Sequence, residues 1–337
     1  MKKFSTTQNK LLTCLADGQC HSGNELGAHL NISRTAIWKQ ITQLIDLGLP
    51  IQRIPKKGYR LTTPISFLEA EAIRQQLGSN HFTQPIHIHL FATLDSTNRL
   101  LKELPRTSAI DICCTEMQTE GRGRFGRSWY SPFGENIYCS SRWHFDCDLS
   151  RLSGLSLVVS LAILATLNAF GISEHIRVKW PNDILWHNKK LCGSLIEIIA
   201  ESNSGADVVI GIGLNVNTAT ATLDHQNVGN STHPDKPWCS LYDITGHFID
   251  RNPLVARLLI DLNDYLNRFI AQGFSAFITQ WQQMDYLRGQ MITVSQPMGA
   301  ITGTADGVND AGQLILIDEA GVIHYLSSGD TSLQAMR

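Results

Sequence analysis

The stretch Gln118-Thr119-Glu120-Gly121-Arg122-Gly123-Arg124-Phe125-Gly126-Arg127-Ser128-Trp129 decides the fold, because its glycines satisfy G-x-G-x-x-G, the dinucleotide-binding fingerprint. The run 110–117 before it reads as a strand, as that fingerprint requires. A dinucleotide fold then needs a helix at once, its N-terminus turned on the pyrophosphate. Here Trp129-Tyr130-Ser131-Pro132-Phe133-Gly134 follows, which cannot open a regular helix. Arg122, Arg124 and Arg127 are also foreign to a motif in which backbone N–H groups do the binding. The stretch reads instead as a glycine-hinged loop that folds arginines over a multiply charged anion, the alternative being a solvated basic loop.

Outward from this loop the charge is divided. Residues 1–62 hold nine Lys/Arg and three acids, +6, and the rest holds 19 basic and 27 acidic residues, −8, within 337 residues of formal net charge −2. A basic first fifth on an acidic remainder suggests a polyanion-binding module joined to something else. The 43% hydrophobic and 17% charged composition excludes a wholly disordered or collagen-like chain and leaves room for two or three domains. None of the eight cysteines is spaced Cys-x-x-Cys and no secretory signal opens the sequence, so they read as reduced thiols of a cytoplasmic protein. Residues 152–173 carry no charge over 22 positions, long enough to span a bilayer. Ser153, Gly154, Ser156, Ser160, Thr166 and Asn168 dilute that run, and a buried core helix without membrane contact is expected.

The basic segment reads as three short helices and a hairpin. The first covers 9–16; Ser22 and Glu25, spaced as a capping box, open the second; Ser33 caps a third that runs to Leu47 and stops at Gly48. Ile37, Ile41, Leu44 and Ile45 share one face of the third helix, and Arg34, Thr35, Lys39, Thr42 and Gln43 occupy the other. That donor-rich face suits base edges and phosphates in a major groove. Two short strands around Pro55-Lys56-Lys57-Gly58, with Arg53 beside them, make a basic wing. This segment resembles the winged helix-turn-helix of bacterial regulators; the alternative is a three-helix protein-interaction module with a solvated positive face. The expected DNA contacts are Ser33, Arg34, Thr35, Lys39, Thr42, Arg53, Lys56 and Lys57.

Three further clusters carry chemistry. Asp95-Ser96-Thr97-Asn98 opens a helical run and reads as an N-cap, or as a hydroxyl- and amide-rich rim for a polar ligand. Lys179-Trp180-Pro181-Asn182-Asp183 ends a β-rich run, either as an Asx turn or as a ligand-facing strand end where Asp183 could hold Mg2+. Lys189-Lys190-Leu191-Cys192-Gly193 and Gly211-Ile212-Gly213-Leu214-Asn215 look like neighbouring strands, whose glycines suggest a ligand close to the backbone. His87-x-His89 reads as a surface pair.

The winged helix, Ser-Thr-Asn, Gly-Arg-Gly-Arg-x-Gly-Arg-x-Trp, Lys-Trp-Pro-Asn-Asp, Lys-Leu-x-Gly and Gly-x-Gly-x-Asn, in this order over nearly the whole chain, resemble the biotin protein ligases. With the N-terminal module, the resemblance is to those that double as biotin operon repressors. It implies an α/β (α+β) fold. A winged helix-turn-helix domain (1–63) would precede a central catalytic domain (64–286) with a class II synthetase-like mixed sheet, and a C-terminal SH3-like barrel (287–337) would end the chain. It implies ATP and Mg2+ as cofactors, biotin as substrate, biotinoyl-5′-AMP as intermediate and co-repressor, and the biotin carboxyl carrier protein of acetyl-CoA carboxylase as acceptor. Operator DNA and a homodimer of the adenylate-bound form complete the implied partners. Residue by residue, it places biotin on Ser96, Thr97, Asn98, Gln118 and Gly193, under the loop residues Arg122, Gly123 and Arg124. Lys190 would reach the reacting carboxylate and α-phosphate, with Arg122 and Arg124 as its catalytic companions. Trp129, Lys179, Asn182, Asp183 and Asn215 would serve ATP, with Asp183 at the metal. Phe125 stands where some relatives carry another arginine, and Asp330 where relatives often carry Glu. The segment 217–238 corresponds to a variable loop on the adenosine side. Two rivals are a lipoate or octanoate ligase and a non-enzymatic repressor that only senses a ligand.

Overall fold

The computed structural model describes residues 4–62, 65–202, 205–220, 237–297 and 299–333. In the basic segment, a serine starts each helix. Ser5 accepts the N–H of Gln8 at α1 (Thr6–Leu15), Ser22 that of Glu25 at α2 (Gly23–Leu30), and Ser33 that of Ala36 at α3 (Arg34–Asp46). The Ser5/Gln8 capping box starts α1 three residues before the expected 9. Leu11, Leu15, Leu26, Ile37, Ile41 and Leu44 form a small core of their own. The wing pairs β1 (Ile51–Ile54) with β2 (Gly58–Leu61).

His21 joins three parts of this module. Its backbone exchanges two hydrogen bonds with Tyr59 of the wing, while its ring lies 2.9 Å from Asp17 after α1 and 3.5 Å from Glu25 in α2. The Asp17 hydrogen bond, with Glu25 assisting, raises the imidazole above its ordinary value of 6.5. A raised folded value stabilises the fold fully below 6.5, and that contribution is lost as pH rises through the folded value. Between about pH 5.5 and pH 8.5 the melting temperature of the winged helix should therefore fall more in the wild type than in His21→Gln. Parallel curves would show that the ring carries no such linkage.

The central sheet has seven strands in the order β3-β4-β5-β9-β8-β7-β6. They are β3 (Ile86–Phe91), β4 (Ile110–Thr115), β5 (Ile137–Phe145), β6 (Ile176–Lys179), β7 (Asp183–Trp186), β8 (Lys189–Ser202) and β9 (Gly205–Leu214). Only β3 and β4 run parallel; every other pairing is antiparallel, and the arginine loop leads from β4 to β5 with no long helix between. The glycine pattern is therefore no dinucleotide fingerprint. Helices α4 (Ala70–Ser79), α6 (Leu155–Ala169) and α8 (Arg251–Gln272) pack their apolar residues into one core with Ile112 and Cys114 of β4. The opposite face of β4, through Cys113, meets Leu100 and Leu101 of α5 (Thr97–Glu103). The uncharged run is buried in α6, and among the described residues no helix is long and apolar enough to cross a membrane. Short helices α7 (Leu241–Thr245) and α9 (Ile278–Met284) flank α8.

At the C-terminus β10 (Met291–Gln296), β11 (Gly299–Val308), β12 (Leu314–Ile317), β13 (Ile323–Leu326) and β14 (Asp330–Leu333) form an antiparallel sheet in the order β13-β12-β11-β10-β14. Its Ile292, Val294, Leu314 and Leu316 are continuous with the central core. The Trp180 indole N–H, donating to the Gly312 carbonyl at 3.2 Å, ties the two sheets together beside the site.

Candidate active site

A cavity opens on the α5 face of the central sheet, and its floor is backbone. A Cβ on Gly211 of β9 would stand 2.1 Å from Asn98 Oδ1, and one on Gly213 would stand 2.5 Å from the Trp129 ring. Glycine alone lets the amide and the indole lie directly on the strand.

One rim is the start of α5. Ser96 caps the helix, accepting the N–H of Arg99 at 3.5 Å, and the cap turns Thr97 and Asn98 inward, where both are buried. The cap and the ligand rim are thus one structure. The Thr97 N–H and hydroxyl lie 3.0 and 3.2 Å from Gln118 Oε1, and Ser140 Oγ of β5 lies 2.6 Å from both Thr97 Oγ1 and Asn98 Oδ1.

The lid is the arginine loop. It holds one 3-10 turn, Arg124–Gly126, with Phe125 in the left-handed region at φ +56° and its ring exposed. The three arginines do not share one partner. Arg122 reaches Glu197 on β8 at 3.3 Å, Arg124 donates to the Gly329 carbonyl at 3.4 Å, and Arg127 grips Asp330 through two bonds of 3.1 and 2.5 Å. Burial lowers the Arg124 guanidinium, with Asp183 and Asp330 opposing that effect. A half-buried guanidinium whose desolvation outweighs its neighbouring carboxylates gains from an anionic ligand.

The far wall carries the lysines. Lys190 Nζ lies 2.7 Å from Asp183 Oδ1 and 5.2 Å from the centre of the Trp129 ring. Lys179 Nζ donates to the Thr331 carbonyl at 2.6 Å, and the Asn182 amide to the Ser194 carbonyl at 2.5 Å, pinning the turn to β8. Ser96, Thr97, Asn98, Gln118, Arg122, Gly123, Arg124, Trp129, Lys179, Asn182, Asp183, Lys190 and Gly193 all line this one cavity. Asn215 does not: its amide donates to the carbonyls of Cys239 at 3.0 Å and Lys190 at 3.4 Å, holding the strand that presents Lys190. Three buried polar atoms of the lining, Arg122 Nε, Trp129 Nε1 and Ser194 Oγ, have no hydrogen-bond partner among the described residues. Each can donate to a ligand.

Sequence reading missed Ser140, Glu197 and Thr331 as site residues. Glu197 alone left a signal, a carboxylate within the apolar run 195–200 of β8.

Residues 90–215 match the biotin/lipoate A/B protein ligase family. The bifunctional ligase/repressor BirA of Salmonella typhimurium is 35% identical over 334 residues, 99% of both chains, and that of Escherichia coli is 34% identical with the same coverage. The chain belongs to the BirA family. An HTH domain matches residues 7–60 and a biotin protein ligase C-terminal domain matches residues 288–333. The biotin protein ligase of Aquifex aeolicus, solved with biotin and ATP, is 27% identical with a TM-score of 0.60; the match spans 75% of this chain and all of that one. The BirA-type winged helix leaves Ser33, Arg34, Thr35, Lys39, Lys56 and Lys57 exposed. Thr42 and Arg53 are partly occupied with each other, the guanidinium donating to the hydroxyl at 2.6 Å. Trp38, 51% exposed on the same helix beneath Arg53, adds an aromatic surface to that face.

Proposed function

We infer that the protein couples biotin to ATP, retains biotinoyl-5′-AMP, and passes biotin to a lysine of the biotin carboxyl carrier protein of acetyl-CoA carboxylase. The adenylate-bound form represses biotin synthesis genes at an operator. The observation that carries this reading is the meeting, in one cavity, of a buried hydrogen-bonding rim with a lid and wall of cations. The divisions at 1–63, 64–286 and 287–337 fit the reading; the first falls on residues 63–64, outside the described residues, as does most of the expected adenosine-side loop 217–238.

Ser96, Thr97, Asn98 and Gln118 suit the cyclic urea of biotin, and Gly193 gives its tail room beside Lys190. A carboxylate oxygen of biotin must then attack the α-phosphorus of a polyanion, with diphosphate leaving, so like charge opposes the step. Lys190, Arg122 and Arg124 offset that repulsion and stabilise the developing charge. Trp129 offers the nucleotide a ring face, Lys179 a nearby cation, and Asn182 a pinned turn. Asp183 fits Mg2+, which takes one or two carboxylates and completes its shell with phosphate oxygens and water. No trio of metal-ligating side chains converges among the described residues, so those phosphates would be needed. When bound, the ion would neutralise phosphate charge. The mixed anhydride is open to water, which gives the loop over it a purpose. The carrier's amine attacks its acyl carbon, and AMP leaves.

Homodimer formation has a physical basis in β8. β7 covers its outer side only from Lys189 to Gly193, and beyond Ser194 that edge carries no strand among the described residues, with Ile198 52% exposed. A second copy could pair there about a two-fold axis. Lipoate has no urea, so in a lipoate ligase the buried Thr97 and Asn98 and the half-buried Gln118 would meet no complementary groups. A ligand sensor without chemistry would have no use for Lys190 beneath an arginine lid.

With ATP and Mg2+, the protein should yield biotinoyl-AMP and diphosphate from biotin and none from lipoate. Binding to an operator fragment should tighten with the adenylate and weaken steeply with salt. No adenylate, or a preference for lipoate, overturns the ligase reading, and indifference of DNA binding to the adenylate overturns the regulatory one.

A further inference from the structure

Glu197 lies in β8 at alternate positions from Gly193 and Leu195, which line the cavity, and stands just behind that lining against Asn98. Its Oε1 accepts from Lys102 Nζ of α5 at 2.7 Å, and its Oε2 accepts from both Asn98 Nδ2 at 2.8 Å and Arg122 Nη2 at 3.3 Å. Burial opposes the charge, yet Lys102, Asn98 and Arg122 hold the carboxyl below the ordinary carboxylate range.

The consequence for Asn98 follows from counting hydrogens. One amide hydrogen goes to Glu197 and the other to the Leu195 carbonyl at 3.2 Å, while Oδ1 accepts from Ser140 and keeps a second lone pair. A flipped amide would set its oxygen against two acceptors, so the orientation is fixed by its neighbours. Held this way, Asn98 offers the cavity an acceptor and no donor. The same carboxylate oxygen also receives the first arginine of the lid.

We propose that Glu197 is a positioning residue that sets the Asn98 carbonyl oxygen toward a ligand N–H and docks Arg122 on the same carboxylate, so that reading the urea and closing the loop are one event. This rests on the reading of the cavity as a biotin site. A ligand with an N–H at that point is accepted, and one bearing an N-alkyl group there leaves a buried oxygen unpaired.

The test uses the full-length protein with biotin, N-methylated biotin and ATP. Glu197→Gln should raise KM for biotin by at least about tenfold and leave KM for ATP within about twofold. It should also shrink the preference for biotin over the N-methyl analogue, and speed loss of biotinoyl-AMP to free biotin and AMP in the absence of carrier. Glu197→Asp keeps the charge on a shorter arm and should lie between the two. Lys102→Met frees only Oε1 and should leave the preference intact. KM for biotin and ATP rising together with the preference unchanged, or both KM values unmoved, overturns the proposal; if Glu197→Gln does not fold, an Asp variant with wild-type preference and retention does so. A wild-type protein that makes no adenylate overturns the ligase reading itself.

Discussion

Replacing Lys190 by methionine should slow adenylate formation by about 100- to 1,000-fold, the range seen when one pre-placed electrostatic donor is removed from a reacting centre. Methionine keeps much of the length of the side chain and removes the charge, so the change reads out electrostatics more than packing. Lys190 is held by Asp183 at 2.7 Å, by the Trp129 ring below it, and through its own carbonyl by the Asn215 amide. On the proposed reading the ammonium is already placed where phosphate and carboxylate charge would meet, and little reorganisation remains for the reaction. Once the charge is gone, Asp183 faces the incoming phosphates unbalanced, which adds repulsion to lost attraction. The measurement is single-turnover formation of biotinoyl-AMP, set beside transfer from preformed adenylate to the carrier. The first should collapse and the second change by less than about tenfold, because no phosphate attack remains in it. Equal losses in both would place Lys190 at acyl transfer instead.

What was legible in the sequence was local. Ser22, Ser33 and the turn at Asn31 mark helix ends by chemistry confined to a few residues, and α2 and α3 form as those signals require. The Gly-Arg loop could be separated from a nucleotide fold because the following Trp-Tyr-Ser-Pro run refuses a helix, and β5 follows instead. Asp330 was noticed only as a departure from relatives, yet it grips Arg127 across the junction of two sheets, 203 positions away in the chain. No pattern in the chain announces such a partner. Asn215 shows the opposite failure: it sits in a motif beside the site, and only the structure shows its amide turned to the carbonyls of Lys190 and Cys239. Glu197 was quoted as the end of a strand, and its three partners arrive from elsewhere, Asn98 and Lys102 from α5 and Arg122 from the loop. A sequence specifies which elements form more openly than which side chains meet across them.

Arg251 gives the largest expected effect on stability. It is fully buried at the start of α8, where it donates to the Ser66 carbonyl at 2.6 Å, the Asn136 carbonyl at 2.8 Å and Glu116 Oε2 at 2.6 Å. The other oxygen of Glu116 accepts the Leu68 N–H at 2.8 Å. This one guanidinium thereby ties the chain leaving the winged helix to the sheet and to the segment that ends in Gln118. Arg251→Met should destabilise the central domain by about 3–5 kcal/mol, because it strands a buried carboxylate and removes the donors of two carbonyls. Arg251→Met combined with Glu116→Gln removes the stranded charge and should recover a substantial part of that loss. The comparison separates the two explanations of a buried pair. If the pair acts mainly by attraction, the double variant is as unstable as the single one. If the larger effect is the penalty on an uncompensated carboxylate, the urea midpoint moves back toward wild type in the double variant, and the connection around Ser66 regains its resistance to proteolysis. The burial of Glu116, at 4% exposure, favours the second outcome.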